Sequence, residues 1–356
     1  MAYIKLYRRR LKTNYNFLLK LFKKHKVEWG VVTKLLCGNE LFLREVLKLG
    51  VKEVHDSRIS NLKIIKKINP KIQTCYIKPP AKKSISNLIR YADVSLNTEF
   101  TTIKALSEEA KKQKKIHKII IMVEMGDLRE GVMGNKLVAF YGKIFKLKNI
   151  NVIGIGTNFN CLHGVMPSKD KLIQLALYKK LIELQFKKKI PWISGGSTVS
   201  IPLLLKKELP EAINHLRIGE ALFFGKNIFE NNTIKGMRDN VLELYAEIIE
   251  LTSKPLIPDG ELAENPSGKK FEIKPEDYGK TSYRAILDVG LLDMNPDFLV
   301  TKDSSIEIVG ASSDMLVVDL KDNYKSYKIG DTISFNLKYM GALSLLNSRY
   351  IDKIVI

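Results

Sequence analysis

The chain has 356 residues, 45% of them hydrophobic and 27% charged, an ordinary globular composition that excludes wholesale disorder and fibrous repeats. Three cysteines are too few for a disulfide framework, and no apolar run reaches the roughly 18 residues that a membrane-spanning helix needs. The basic N-terminus lacks the apolar core of a secretory signal, so the expected compartment is a reducing cytoplasm, with no membrane partner.

The net charge of +21 is unevenly distributed along the chain. Residues 1–235 hold 45 Lys and Arg against 18 Asp and Glu, a net +27, whereas residues 236–356 hold 14 against 20, a net −6. This change in composition predicts two domains, 1–235 and 236–356. The basic half could attract nucleic acid, but no nucleic-acid-binding motif accompanies it, so a solvated lysine-rich surface is the favoured interpretation.

Eight short runs of β-branched and apolar residues recur between residues 27 and 219, each followed by a longer segment with helical spacing. The predicted strands cover 27–34, 51–57, 72–78, 93–97, 117–125, 151–158, 191–198 and 215–219. Eight alternating units predict an α/β fold, a closed (β/α)8 TIM barrel, although an open doubly wound sheet shares the early pattern. Beyond about residue 235, apolar runs separated by turn residues predict a C-terminal β domain.

Polar residues and glycines gather at the C-terminal ends of the predicted barrel strands, where barrel enzymes build their active sites. Lys34 ends the first strand, and partial desolvation there would favour its neutral amine and hence Schiff-base chemistry. The segments SGGST and RIG, in the seventh and eighth units, supply backbone N–H groups and hydroxyls suited to a phosphate. Each signal is weak alone, because a strand-end lysine is more often a surface charge and Gly-Gly more often a turn.

Several motifs, taken together and in their order, resemble the alanine racemase family of pyridoxal-phosphate enzymes, most closely the branch of alanine and ornithine racemases. They include VVTKLLCGNE, VEMGDLREGV, GIGTNFNCLHGVMPS, SGGSTVSIPLLL and NHLRIGEALFFG, and the resemblance covers nearly the whole chain. It implies a barrel followed by a β domain, pyridoxal 5'-phosphate as the cofactor, and racemisation of a basic amino acid such as ornithine or lysine, which is an isomerase activity. The alternatives are an alanine or serine racemase, and a non-catalytic cofactor carrier like the single-barrel homeostasis proteins.

The resemblance assigns cofactor-binding roles to residues at the strand ends. Lys34 would bond covalently to the cofactor, and Arg217 would face the pyridine nitrogen. Because a guanidinium stays protonated, it leaves the ring nitrogen unprotonated, which weakens the electron sink and favours racemisation over decarboxylation. The other cofactor contacts, most of them to the phosphate, are assigned to Asn158, Gly195, Gly196, Ser197, Thr198, Gly219 and Glu220. No metal is expected.

Racemisation needs acid/base groups on both faces of the substrate Cα, and Lys34 is expected to serve one face. Alanine racemases place a partner-subunit tyrosine on the other face, in a Val-Gly-Tyr turn, but the matching turn here ends in Leu291. Cys161 is therefore the first candidate for the second base. The other candidates are His163, Tyr283, Asp288 and Asp293.

Two further residues are assigned to the substrate by the resemblance. Arg129, in VEMGDLREG, matches the arginine that holds the α-carboxylate. Asp314, in GASSD, resembles an acidic residue that binds the distal ammonium across the dimer in related decarboxylases, although an ordinary Ser-Asp turn fits equally well. The C-terminal domain would then contribute to the partner subunit's active site in a head-to-tail homodimer, and the opposite charges of the two halves fit such docking.

Overall fold

The computed structural model of the chain describes residues 2–230, 232–264, 268 and 270–356. These residues form two units, one of residues 7–241 and one that combines residues 2–6 with 242–354. The division after residue 241 lies six residues beyond the boundary that the charge pattern suggests. The sequence assigns residues 2–6 to the barrel domain, but strand β1 (Tyr3–Leu6) pairs with the strand that begins at Leu242 and so belongs to the second unit.

The first unit is a closed barrel of eight parallel strands, which confirms the predicted α/β barrel, and each predicted strand overlaps one observed strand. The barrel strands are β2 (Glu28–Val32), β3 (Glu53–Asp56), β4 (Gln73–Tyr76), β5 (Val94–Asn97), β6 (His117–Met122), β7 (Ile150–Gly156), β8 (Trp192–Ser194) and β9 (His215–Ile218). The helices are α1 (Arg8–Lys24), α2 (Glu40–Leu47), α3 (Ile59–Ile68), α4 (Ile85–Tyr91), α5 (Phe100–Lys112), α6 (Leu137–Ile144), α7 (Lys169–Phe186), α8 (Ile201–Leu205) and α9 (Glu220–Phe224). A short hairpin follows, β10 (Lys226–Asn227) with β11 (Asn232–Thr233).

The strands of the barrel carry two kinds of buried side chain. Strands β4 to β7 contribute an apolar cluster, because their β-branched and apolar residues alternate between the two faces of the sheet. Strands β3, β8 and β9 instead contribute buried polar side chains. The apolar cluster consists of Cys75, Val94, Leu96, Ile120, Met122 and Ile153. The buried polar residues of these three strands include Glu53, His55, Ser194, His215 and Arg217, and β4 to β6 add Thr74, Ser95, Asn97 and His117.

The second unit is an antiparallel sheet, as the short apolar runs and turns of the sequence predict. Six strands follow the order β14-β17-β12-β13-β16-β15, while β1 pairs with both β12 and β18. The bounds are β12 (Leu242–Pro255), β13 (Thr281–Leu287), β14 (Leu299–Thr301), β15 (Glu307–Ala311), β16 (Leu316–Asp319), β17 (Thr332–Leu337) and β18 (Asp352–Val355), with one helix, α10 (Tyr339–Asn347). Among all the helices of the described residues, none is long and apolar enough to cross a membrane.

Candidate active site

Lys34 lies at the C-terminal end of the first barrel strand. It follows β2 by two residues and begins a 3-10 turn, Lys34–Leu36. The sequence predicts partial burial of this side chain, but it is exposed. The reason is that the residue lies beyond the end of the strand. An exposed amine in this position is accessible to a cofactor bound at the strand ends.

The backbone before Lys34 is held by a buried carboxyl group on the neighbouring strand. The hydroxyl of Thr33 donates to Asp56 Oδ2 at 2.9 Å. The backbone N–H of Arg58 and the amide of Asn61 donate to Oδ1 at 2.9 and 3.0 Å. Burial raises the pKa of Asp56 to about 6, while these hydrogen bonds oppose the shift. The turn after β3 is thereby tied to the end of β2.

Arg217 is buried at the end of β9, with 3% of its surface exposed. Its guanidinium donates to the hydroxyl of Ser194, to the carbonyl of Thr157 at 2.7 Å and to Asn158 Oδ1 at 2.5 Å. Burial lowers the pKa of Arg217, but a guanidinium remains protonated at neutral pH. These contacts use three of its five N–H bonds, which leaves two to donate to another acceptor.

The predicted phosphate-binding loops follow β8 and β9, where the sequence places them. Gly196 has φ +114°, a conformation that requires glycine, so the chain can turn sharply at the end of β8. The hydroxyl of Thr198 accepts a hydrogen bond from the backbone N–H of Ala221 at 3.1 Å, which joins the two loops. Of the remaining residues of this prediction, Gly195, Ser197 and Gly219 occupy the same loops, and Glu220 is the first residue of α9.

Arg129 lies in the loop after β6 and pairs with its neighbour, Glu130. Asn158 donates from its amide to Glu130 Oε1 while it accepts from Arg217. The two predicted arginines are therefore connected through one carboxylate and one amide. This arrangement holds Arg129 at the strand ends, although 37% of its side chain remains exposed.

Cys161 lies in the loop after β7, and a buried carboxylate holds that loop in place. Asp127 accepts hydrogen bonds from the backbone N–H groups of Cys161, Leu162 and His163 at 3.0, 3.1 and 3.2 Å. Burial raises the pKa of the Cys161 thiol, and the positive charges of Arg129 and Lys34 lower it. Because both charges act on this thiol, the structure brings the three predicted residues to one end of the barrel.

Asp314 and the turn that ends in Leu291 both lie in the second unit, and they are adjacent. The backbone N–H of Leu291 donates to the carbonyl of Ser312 at 3.0 Å. A Cβ on Gly290 would overlap the backbone of Asp314, so this close approach requires glycine. Asp314 is exposed, and its carboxylate accepts from the hydroxyls of Ser312 and Ser313. Of the alternative second bases, Tyr283, Asp288 and Asp293 also lie in this unit.

A buried polar cluster inside the barrel was not predicted. Glu53 accepts hydrogen bonds at one carboxylate oxygen from His55 and, at 3.0 Å, from His215. The three ligand-type atoms lie within 4.8 Å of one another. The signal in the sequence is the spacing of two residues in EVHD and HLRI, which places each pair on the same face of a strand.

The sequence of the chain is similar to those of known racemases. The family described as alanine racemase, N-terminal domain, matches residues 7–227. An ornithine racemase of Acetoanaerobium sticklandii is 37% identical over 345 residues, which is 97% of this chain and 96% of the relative. A lysine racemase of Thermotoga maritima is 30% identical over 344 residues, which is 97% of this chain and 95% of the relative.

Solved structures give the same result for the fold. The alanine racemase from Bartonella henselae, with covalently bound pyridoxal phosphate, superposes with a TM-score of 0.74 at 18% identity, and the alignment covers 100% of this chain and 99% of that one. The family resemblance that the motifs predict is confirmed. The chain belongs to the alanine racemase family.

Proposed function

We propose that the chain is a pyridoxal-phosphate-dependent racemase, an isomerase that interconverts the L and D forms of a basic amino acid such as ornithine or lysine. The observation that carries the proposal is Arg217, a buried cation that is held by three acceptors and still has two N–H bonds to donate. The substrate class is supported by the ornithine and lysine racemases that match nearly the whole chain.

The residues at the strand ends suit pyridoxal phosphate. Lys34 offers an exposed amine for covalent attachment, and Arg217 offers donors for a ring nitrogen. Gly196 and Thr198 belong to loops whose backbone N–H groups and hydroxyls suit a phosphate, and Asn158 lies beside Arg217. When bound, the cofactor supplies an electron-withdrawing ring that acidifies the substrate Cα–H. A guanidinium partner limits that withdrawal, which favours return of the proton to Cα.

Two groups of the barrel unit are suited to move a proton at Cα. We assign Lys34 Nζ to one face of the substrate and Cys161 Sγ to the other. Burial raises the pKa of the Cys161 thiol, so the thiol is protonated and can donate its proton to Cα. In the structure Cys161 Sγ donates to the carbonyl oxygen of Phe159 at 3.3 Å. Lys34 accepts a proton in the direction in which Cys161 donates one. The roles exchange in the reverse direction.

Substrate recognition is assigned to two charges of opposite sign. Arg129 would bind the α-carboxylate and so orient the Cα–H bond, with Glu130 limiting its movement. Asp314 would bind the distal ammonium of the substrate in the active site of the partner subunit, which requires a head-to-tail homodimer. Its exposed position beside Leu291 supports that role. No disulfide links the three cysteines in the described part of the chain. We propose a reducing cytoplasm as the compartment.

Proton NMR in heavy water tests the proposed function directly. L-Ornithine is incubated with the cofactor-loaded protein, the α-proton signal is followed, and the same sample undergoes chiral analysis. We expect loss of the signal together with appearance of D-ornithine. Exchange without inversion would show that the second base is missing. No exchange with ornithine or with a panel of other amino acids would favour the second candidate function, a cofactor carrier. The observation behind this candidate is that position 291 is a leucine, which has no ionisable group.

A further inference from the structure

A line of hydrogen bonds runs from Arg217 along the inside of the barrel. The guanidinium donates to Ser194 Oγ. The hydroxyl oxygen of Ser194 lies 2.8 Å from His215 Nδ1, and His215 Nε2 lies 3.0 Å from Glu53 Oε1. All four side chains are buried, each with less than 9% of its surface exposed. The line therefore joins a buried cation to a buried carboxyl group.

The protons along this line have one consistent arrangement. Burial alone would raise the pKa of Glu53, but His55 and His215 outweigh it and hold that pKa well below its usual range, so Glu53 is a carboxylate that only accepts. His215 Nε2 must then donate to Glu53. Ser194 already accepts from Arg217, and its hydroxyl proton has His215 Nδ1 as its acceptor among the described residues. Each donor in the line thus points toward Glu53.

The surroundings of Glu53 hold this arrangement rigidly. Gln73 donates to its second oxygen, so both carboxylate oxygens are satisfied. The ring of Trp192 stacks on His215 with centroids 4.4 Å apart and planes 12° apart, which fixes the plane of the imidazole. A Cβ on Gly30 would overlap His55 and lie 2.8 Å from Glu53 Oε1, so glycine is required on the neighbouring strand.

Arg217 needs a counter-charge, because an uncompensated buried cation is strongly destabilising. Within the described barrel residues, its three acceptors are a hydroxyl, a carbonyl and an amide oxygen, none of which is charged. Glu130 reaches it through Asn158 from one side. Glu53 reaches it through Ser194 and His215 from the other.

We propose that Glu53, through His215 and Ser194, is a positioning residue that balances the charge of Arg217 and holds its guanidinium in the orientation that the cofactor ring requires. The orientation part rests on the proposed function. The charge pairing does not, because it concerns the chain alone. Glu53 touches neither cofactor nor substrate, and its effect on the reaction passes through Arg217.

The charge pairing is tested by the unfolding of the full-length protein in urea without cofactor. Glu53→Gln, Arg217→Gln and the double variant form a cycle with the native chain. We expect the urea midpoint of the double variant to decrease by less than the sum of the decreases in the two single variants. The reason is that removing both charges leaves neither one buried alone. Additive losses would overturn the pairing. If Glu53→Gln fails to fold, His215→Asn takes its place in the cycle.

A matched control comes from a second buried histidine in the same barrel. His117 on β6 lies 2.8 Å from the hydroxyl of Ser95, as His215 does from Ser194, but it is not connected to Arg217 by the hydrogen bonds described. His117→Asn combined with Arg217→Gln should give additive midpoint losses. A non-additive loss of the same size as in the Glu53 cycle would mean general loosening of the barrel and would overturn the proposal.

The orientation of Arg217 is tested by the absorbance of the protein loaded with pyridoxal phosphate. We expect Glu53→Gln to shift the visible absorbance maximum and to lower kcat about tenfold or more with little change in KM, while His117→Asn shifts neither. An unshifted spectrum with unchanged kcat would overturn the orientation role. If the native chain binds no cofactor at all, the proposed function fails, and the urea cycle still decides the charge pairing.

Metal analysis provides a third, independent outcome. Glu53, His55 and His215 form a donor set that suits a divalent transition metal. We expect no stoichiometric metal in the purified protein and no rise of the urea midpoint with added Zn²⁺. One equivalent of metal that is lost in Glu53→Gln would overturn the proposal, because the metal would occupy the lone pairs that the hydrogen bonds require.

Discussion

The exposed amine of Lys34 is the residue through which the cofactor assignment is most directly tested. Lys34→Ala removes the proposed covalent attachment, so the protein incubated with pyridoxal phosphate should lose the visible absorbance of the attached cofactor, and racemisation should fall below detection. Absorbance spectra before and after gel filtration measure the loss. Lys78→Ala, at the end of another barrel strand, is the matched control and should retain both. An unchanged spectrum of Lys34→Ala would contradict the assignment.

Cys161 is tested by separating proton exchange from inversion. In Cys161→Ala, Lys34 can still remove and return the α-proton on its own face, so one enantiomer of ornithine should exchange its α-proton in heavy water without inversion, and the other should not exchange. Formation of D-ornithine should fall by about 100-fold or more, the usual contribution of a positioned acid or base. NMR and chiral chromatography of one sample measure both rates. Cys37→Ser is the control, and full inversion in Cys161→Ala would transfer the role to another group.

At the scale of secondary structure, strands β5 and β6 are joined by a buried histidine that gives stability a pH dependence. Burial lowers the pKa of His117 from 6.5 to about 4, so its neutral form stabilises the fold above pH 6.5, and this contribution is lost as the pH falls toward 4. The loss is about 3 kcal/mol at most. Urea unfolding at pH 7 and pH 4.5 should show a smaller pH effect in His117→Asn than in the native chain.

Comparing the native chain with His117→Asn separates the contribution of His117 to the pH dependence of stability from the opposite contribution of Asp56. The pKa of Asp56 is raised to about 6, so its neutral form stabilises the fold most below its unfolded value, and that contribution is lost as the pH rises through 6. Asp56 is present in both proteins and cancels in their difference. The exposed His163 is the control, and His163→Asn should follow the native chain. An equal pH effect in His117→Asn and the native chain would contradict the prediction.

The loop that contains Asp314 should discriminate between substrates by their side-chain charge. Asp314→Asn removes a charge-assisted hydrogen bond to the distal ammonium, so KM for ornithine should rise about tenfold, while any activity on alanine should stay unchanged. Steady-state kinetics with both amino acids measure the difference. Asp322→Asn, another exposed aspartate of the same unit, is the control. Equal effects on the two substrates would remove Asp314 from substrate selection.

The barrel elements were predictable because local sequence determines them. Runs such as HKIIIM have the length and β-branched content of a buried strand, and the strand-end motifs locate Lys34 and Arg217. Two kinds of feature were not predictable. Strand β1 has only four residues and gains its partner from residues 242–245, and the contact of Glu53 with His215 spans 162 positions of the chain. The first contact depends on assembly of the antiparallel sheet and the second on closure of the barrel, so neither leaves a local pattern.

At the scale of the whole molecule, the proposed sharing of active sites can be tested by mixing subunits. Alone, Lys34→Ala is expected to be inactive on ornithine, and Asp314→Asn is expected to be weakly active at ornithine concentrations below KM. In a hybrid dimer with shared sites, one site carries both substitutions and the other carries none. Random exchange of equal amounts should therefore recover about one quarter of the native activity, since half of the dimers are hybrids with one intact site. No recovery after verified exchange would contradict sharing.

Strand β1 has a consequence for how the chain reaches its final form. It pairs with β12 over residues 3–6 and 242–245, and the whole barrel, residues 7–241, is inserted between these two partners. During synthesis β1 emerges first, but it cannot pair until β12 has been synthesised. The sheet is therefore completed only after the barrel sequence has been translated. A fragment that starts at residue 242 would leave one edge of β12 unpaired and open to association with other chains. The discontinuous unit is thus expected to fold last and to depend on the remainder of the chain.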